Sequence, residues 1–433
     1  MKRTVMTALV LAALGVLGFA LPSRGETPAA QPVAMTLRKG DRVAIVGDSI
    51  TQQKMYSRYI EDYFAACVPQ LELRAVQLGQ VEETAGVFVR RMDSDLLPMK
   101  PTVVTTCYGM NDGGYAAWAE KTGATYESSM KALVEKAKAS GARVLVGSPG
   151  AVDSTGFLNR PNRSCDPAAY NETLRRLALA ARKVAGETGS AFADVHKPLM
   201  SAMAAAKAKL GADFPVCGTA GVHPGPNGHV VMAYAFLKGL GFDGNIGAIT
   251  LHMDGKAEAT GGHKVIASEA GAVEVESSRY PFCFPADGKD PAGARGILPF
   301  LPFHKDLNRL PLAVTGLKAE KAKVTWGDAS KSFTRDELAA GINLAAEFPD
   351  NPFSDAFKKV DAAVAAKQTF ETTMVLSGFH DLASLEKTFV GDAEAAAAVK
   401  TLRARLIARQ EAMAGAVRDA VVPVRHKIAV VPE

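Results

Sequence analysis

The hydrophobic pattern changes character twice along the chain. Between about residues 40 and 200, short apolar runs alternate with amphipathic stretches. The runs are "RVAIVG" (42–47), "LRAVQLG" (73–79), "TVVTTCYG" (102–109), "ARVLVGS" (142–148) and "SAFADV" (190–195). Nearly unbroken Val-rich runs of this length read as strands buried on both faces, as in a parallel sheet. Between them, "YSRYIEDYFAAC" (56–67), "TYESSMKALVEKAKAS" (125–140) and "YNETLRRLALAARKVAGE" (170–187) carry apolar residues at helical spacing. Strand and helix in alternation predict a doubly wound α/β domain, whose ligands bind beyond the carboxyl ends of the strands.

From about residue 246, short alternating runs replace the helices: "AITLHM" (248–253), "HKVIAS" (263–268), "AVEVES" (272–277), "PLAVTGL" (311–317) and "AKVTW" (322–326). They predict a small β-rich domain over 247–332, with the Pro- and Gly-rich segment 281–303 as a long loop. Beyond Phe333 the pattern turns helical. Thr334 and Glu337 have capping-box spacing. Residues 353–376 and 382–421 read as two helices joined at "SGFHD" (377–381), which makes 333–433 a helical C-terminal region.

The first residues follow another rule. Lys2 and Arg3 precede an apolar run, Met6–Ala20, and small and polar residues follow. A membrane-spanning helix needs about 20 apolar residues, and this run is shorter. Residues 1–25 are expected to be a signal peptide, the mature chain to be periplasmic or secreted, and no stable membrane insertion to remain after cleavage.

Composition excludes some classes. A net charge of +5 with scattered Lys and Arg gives no nucleic-acid footprint. The five cysteines form no CxxC pair and the eight histidines no HExxH, so neither metal nor cofactor is expected. Export permits disulfides, and Cys165 and Cys217 in loop-like stretches leave a bridge or free thiols open.

The chemistry lies in three stretches: Gly47-Asp48-Ser49 after the first strand, "CYGMND" (107–112) after the third, and "GVHPGPNGH" (221–229) before an apolar helix. Singly, Ser49 reads as a helix cap and Asn111 as a loop residue. Together Ser49, Asn111 and His223 supply a nucleophile, an oxyanion donor and a base. On "GDSIT" (47–51), "GMND" (109–112) and "VHPGPNGH" (222–229), the chain resembles the SGNH hydrolases, or GDSL lipases/esterases, over roughly 40–245.

The resemblance implies a flavodoxin-like three-layer α/β/α core over 36–246 with a parallel sheet. The β-rich domain and helical C-terminal region would then be additions found in one branch of the family. It also implies Ser49 as nucleophile and His223 as base. The oxyanion hole would consist of the Ser49 N–H, the Asn111 side chain and the backbone at Glu82. Asp48 would shape the turn. Two positions depart from the family pattern: Ala220 stands where an Asp usually orients the histidine, and Glu82 stands where a glycine is usual.

His229 on the same motif, and Tyr115 and Trp118 after the Asn block, are weaker candidates for substrate contact. The remaining histidines read as structural or exposed. The expected function is an exported serine esterase acting on a small ester or acylated carbohydrate, acetyl groups included. The alternative is a catalytically degenerate SGNH-fold protein that binds carbohydrate or a protein partner.

Overall fold

The computed structural model describes residues 31–157, 163–285 and 290–433, so the signal-peptide expectation for 1–25 lies outside the described residues. The five Val-rich runs form one sheet. Strands β1 (Arg42–Gly47), β2 (Arg74–Gln77), β3 (Val103–Cys107), β4 (Arg143–Gly147) and β5 (Ala191–Ala193) lie in the order β2-β1-β3-β4-β5. Every neighbouring pair is parallel. β3 is buried along its whole length, which accounts for its lack of alternation.

Helices flank the sheet as two layers. Glu120–Ala139 packs between Ala85–Arg91 and Pro167–Glu187. Pro226–Gly239 packs against Tyr56–Asp62 and His196–Leu210. This is the flavodoxin-like strand order, and its switch point lies between β1 and β3.

The rest of the chain builds two further sheets. β6 (Ala248–His252), β7 (Ala257–Thr260), β10 (Pro311–Thr315) and β13 (Ile342–Asn343) lie in the order β13-β10-β6-β7. β8 (His263–Glu269), β9 (Ala272–Ser277), β11 (Lys321–Trp326), β12 (Ala329–Thr334) and β14 (Val424–Pro432) form an antiparallel sheet in the order β12-β11-β14-β9-β8.

β14 corrects the expectation of a wholly helical 333–433. Its alternating residues place His426, Ile428 and Val430 inward, in the middle of that sheet. Three buried polar residues line up there. Ser277 Oγ lies 2.7 Å from His263 Nδ1 and 2.9 Å from His426 Nε2, and the Trp326 indole N–H donates to His426 Nδ1 at 3.0 Å. These histidines are structural. All five cysteines are free thiols, so Cys165 and Cys217 are not bridged.

The predicted capping box at Thr334 and Glu337 is present. The predicted hairpin turn is displaced. Residues 374–379 continue from the helix Ser354–Thr373 as a π-turn into His380–Thr388, and the chain reverses at 389–392 before Ala393–Asp419. Gly378 serves helix packing instead: a Cβ there would stand 2.7 Å from Leu406 Cδ1. The actual stop is Gly391 at φ 88°, followed by Asp392, which accepts the Glu394 and Ala395 N–H groups.

These helices cover the free edge of the main sheet. Glu371 Oε2 accepts the Gln77 backbone N–H at 2.9 Å, and Gln410 donates to the Ala75 carbonyl at 3.3 Å. Side chains thus complete β2, the edge strand, which no neighbouring strand pairs on that side. The ion cluster beneath is fully buried: Lys367 Nζ lies 2.9 Å from Glu61 and 2.5 Å from Glu371.

Candidate active site

β1 ends at Gly47, and the chain turns at once into a short helix, Ser49–Gln52. Asp48 caps it by accepting the Ile50 N–H at 2.9 Å. A Cβ at position 47 would lie 2.1 Å from Thr51 Oγ1 and 2.8 Å from the Cys107 carbonyl, so the turn requires glycine. Burial, with the Asp112 and Glu83 carboxylates adding, pushes the Asp48 carboxyl up to about 7. Its hydrogen bond makes it the turn-shaping residue the sequence suggested.

His223 arrives from the other side of the switch point, in the loop before the helix Pro226–Gly239. Its Nε2 lies 2.9 Å from Ser49 Oγ. In the tautomer protonated on Nδ1, Nε2 accepts the serine hydroxyl proton. Both residues are half-buried.

Asp153, fully buried, organises the loop that carries His223. It accepts the Val216 N–H at 3.0 Å and the Thr155 N–H at 2.9 Å, and pairs with Lys207 at 2.7 Å. Its own N–H donates to the Gly221 carbonyl at 2.8 Å. Gly221 adopts φ 67°, and a Cβ there would meet the Asp153 carbonyl at 2.5 Å. At Ala220 the backbone carbonyl accepts from the Arg163 guanidinium at 2.9 Å. The loop is therefore held by a carboxylate at 153 and a cation at 163, whose positions in the chain gave no hint of it.

Asn111 follows β3. Its Nδ2 donates to the Glu83 carbonyl at 3.0 Å, and its Oδ1 accepts from Tyr115 at 3.1 Å. One amide N–H is thereby fixed in direction, and the other with it. Asp112 joins the same two loops: its oxygens accept the Ala85 and Gly109 N–H groups, each at 3.0 Å. Burial raises its carboxyl to about 6.

The segment 80–84 spans the gap between the serine and the asparagine. Gln52 accepts the Val81 N–H at 2.6 Å, which ties the segment to the serine helix, and Glu83 ties it to Asn111. Glu82 lies between, exposed, with φ 57°. That left-handed conformation is the one glycine adopts freely, and a non-glycine residue holds it here. Gly79, by contrast, packs on the serine helix: a Cβ there would stand 2.5 Å from the Gln52 nitrogen.

The weaker candidates have structural partners of their own, and Tyr115 touches the site through Asn111. His229 is a helix residue, fully buried. Its Nδ1 accepts the Tyr56 N–H at 3.3 Å, its Nε2 lies 3.2 Å from Gln53 Oε1, and burial with the nearby His223 pushes its pKa down to about 3. It stays neutral and structural. Trp118 donates to Glu120 at 2.8 Å at the start of the Glu120–Ala139 helix, under the Arg176 guanidinium. Tyr115 stacks on Tyr170 and positions Asn111. Sequence reasoning missed the support beneath the site: Gln77, Glu83, Arg91 and Asp153. A buried polar or charged residue inside an otherwise ordinary strand, helix or loop leaves no periodic signal.

The GDSL-like lipase/acylhydrolase family matches residues 45–231. The three motifs fall within that span, and so does the 2-1-3-4-5 sheet apart from the first three residues of β1. Residues 45–231 form an SGNH hydrolase domain. An acetylxylan esterase of Geobacillus stearothermophilus is 26% identical over 235 residues, which are 48% of this chain and 98% of that protein. A gut microbial diltiazem-metabolizing enzyme of known structure superposes with a TM-score of 0.72 at 22% identity, over 93% of this chain and 100% of that one. Its likeness is one of fold, and it extends past the SGNH domain across the additional sheets and helices. The chain thus carries an SGNH-type domain in a larger architecture shared with that structure. Among the described residues no helix is long and apolar enough to cross a membrane.

Proposed function

We propose that the protein is an exported serine esterase that removes acyl groups, acetyl groups on carbohydrate in particular, by a Ser49–His223 mechanism. The observation that carries this reading is the 2.9 Å approach of His223 Nε2 to Ser49 Oγ at the end of β1. The likeness to an acetylxylan esterase supports the substrate class, and the basic, then apolar, N-terminal pattern supports export.

In this mechanism Ser49 Oγ attacks the ester carbonyl while His223 takes its proton. The Ser49 N–H, the Asn111 amide and the backbone at Glu82 stabilise the oxyanion. The imidazolium then protonates the leaving alcohol, and water, activated by the same histidine, releases the acid. A hydrogen-bond donor of this kind is worth about 3–4 kcal/mol of barrier.

Ala220 favours one other reading, a degenerate domain that binds its ligand without turning it over. A fluorophosphonate probe separates the two. The esterase reading expects labelling of the wild type, none in Ser49→Ala, and slow labelling in His223→Ala. A folded wild-type protein that binds acetylated oligosaccharide but neither labels nor hydrolyses it would establish the binding reading.

A further inference from the structure

Among the buried contacts that the helical region 354–419 makes with the SGNH domain, two lead to the candidate site, one to each half of it. The first chain of contacts runs to the serine. Gln77 ends β2, 1% exposed, and its Nε2 donates to the Thr51 carbonyl at 2.7 Å, within the helix that begins at Ser49. Its backbone N–H donates to Glu371 of the Ser354–Thr373 helix, and Glu371 is held in turn by Lys367 and by Gln410 at 2.7 Å.

The second chain runs to the oxyanion side. Asn111 donates to the Glu83 carbonyl. The Glu83 carboxylate is gripped by Arg91 at 2.5 and 2.6 Å and by the Tyr108 hydroxyl at 2.7 Å. Arg91 reaches Asp95 at 2.9 Å, and Asp95 accepts from His380 Nε2 of the His380–Thr388 helix at 2.8 Å. Arg91, Glu83 and Asp95 are all nearly or fully buried.

Ordinary packing does not account for Gln77. Its Oε1 is buried with no hydrogen-bond partner among the described residues, a cost that an apolar side chain would avoid. The Thr51 carbonyl does not depend on it, because it already accepts the Lys54 N–H at 3.0 Å. What the amide adds is direction: it fixes the serine helix against the end of β2.

We infer that the helical region is a positioning part of the active site, with Gln77 setting the serine turn and His380, through Asp95 and Arg91, setting the Glu82–Asn111 oxyanion segment. The inference rests on the esterase reading above. Two rigid elements must keep a nucleophile and an oxyanion hole in register, and displacements on the order of 1 Å cost about 100-fold in rate. A single helical unit bonded to both provides that register.

The test uses the full chain with Gln77→Met, His380→Ala and His380→Gln. Gln77→Met removes the stranded carbonyl, so its melting temperature should hold or rise while kcat and the fluorophosphonate labelling rate fall at least tenfold, with KM within about twofold. His380 is 31% exposed. His380→Ala should lower kcat in the same way, and His380→Gln, whose amide can donate from near the Nε2 position, should restore most of it. Wild-type kcat in Gln77→Met and His380→Ala would overturn the inference and leave the esterase reading standing. A fall in kcat that only tracks a fall in melting temperature, without rescue by His380→Gln, would overturn it too, as mere destabilisation. An unlabelled, inactive wild type would overturn both.

Discussion

Replacing Asp153 tests whether the His223 loop is held as described. Asp153 is fully buried and accepts two backbone N–H groups, from Val216 and Thr155. A hydrogen bond to a charged acceptor contributes about 1.5–3 kcal/mol, and a buried donor left without one loses that in full. Val216 is fully buried, so its share is about 2–3 kcal/mol. Thr155 is partly exposed and can turn to water, so its share is about 1 kcal/mol. Lys207 is 16% exposed and also donates to Thr155 Oγ1 and the Ala212 carbonyl, so losing its ion pair adds about 1 kcal/mol at most. Asp153→Ala should therefore destabilise the protein by about 4 kcal/mol at pH 7, and Asp153→Asn, which keeps the shape and one acceptor, by about half of that.

The pH dependence gives a second handle on the same residue. Burial alone would raise the Asp153 carboxyl, but the Lys207, Val216 and Thr155 hydrogen bonds hold it below its usual value of 3.8. Its contribution is thus fully present above the unfolded-state pKa and is lost as pH falls through the lower folded-state value. Urea unfolding of wild type and Asp153→Ala, at neutral pH and below pH about 4, should show a gap that narrows on acidification. Because residues 216–221 lead into His223, the labelling rate should also fall, by about 10- to 100-fold. A gap under about 1 kcal/mol at pH 7, or one that stays constant into acid, refutes the argument.

Two further substitutions probe other parts of the structure. Lys367→Met leaves Glu61 and Glu371 buried together without their shared cation, and should cost about 3–5 kcal/mol in urea unfolding, a loss that Lys367→Met/Glu371→Gln recovers in part. Glu82→Gly relieves a left-handed conformation at an exposed site, so stability should hold to within about 1 kcal/mol and esterase activity should be kept or raised; a tenfold loss would mean that the carboxylate itself takes part.

The sheet was legible because burial on both faces writes itself into the sequence as unbroken Val-rich runs, and β1 was placed to the residue. The serine, asparagine and histidine were legible because each follows a strand or a Gly/Pro loop, where a polar residue is not explained by a core. What stayed hidden depends on distant chain segments. β14 reads as "VRHKIAVVP" after a long helix, and its alternation is plain only once β9 and β11 stand on either side of it. The turn assigned to "SGFHD" failed for a related reason: Gly378 marks a close approach to Leu406, 28 residues further on, instead of a break in the helix. Lys367 and Glu371 look like an exposed i,i+4 pair, yet both are fully buried because β2 lacks a partner strand on that side.

The two departures from the family pattern have different physical weight. At Glu82 the proposed role falls to the backbone, which adopts the left-handed conformation that glycine takes freely, and the side chain is exposed. At Ala220 a side chain is lost, and nothing about backbone shape can replace a carboxylate. The loop nonetheless has its own carboxylate in Asp153, which bonds the residues leading to His223 and not the imidazole. It can fix where the histidine stands, which accounts for the 2.9 Å contact with Ser49, but through hydrogen bonds to backbone N–H groups it cannot stabilise an imidazolium as a direct ion pair does. Of the two tasks of the aspartate in a full triad, orientation and charge stabilisation, Asp153 is placed for the first.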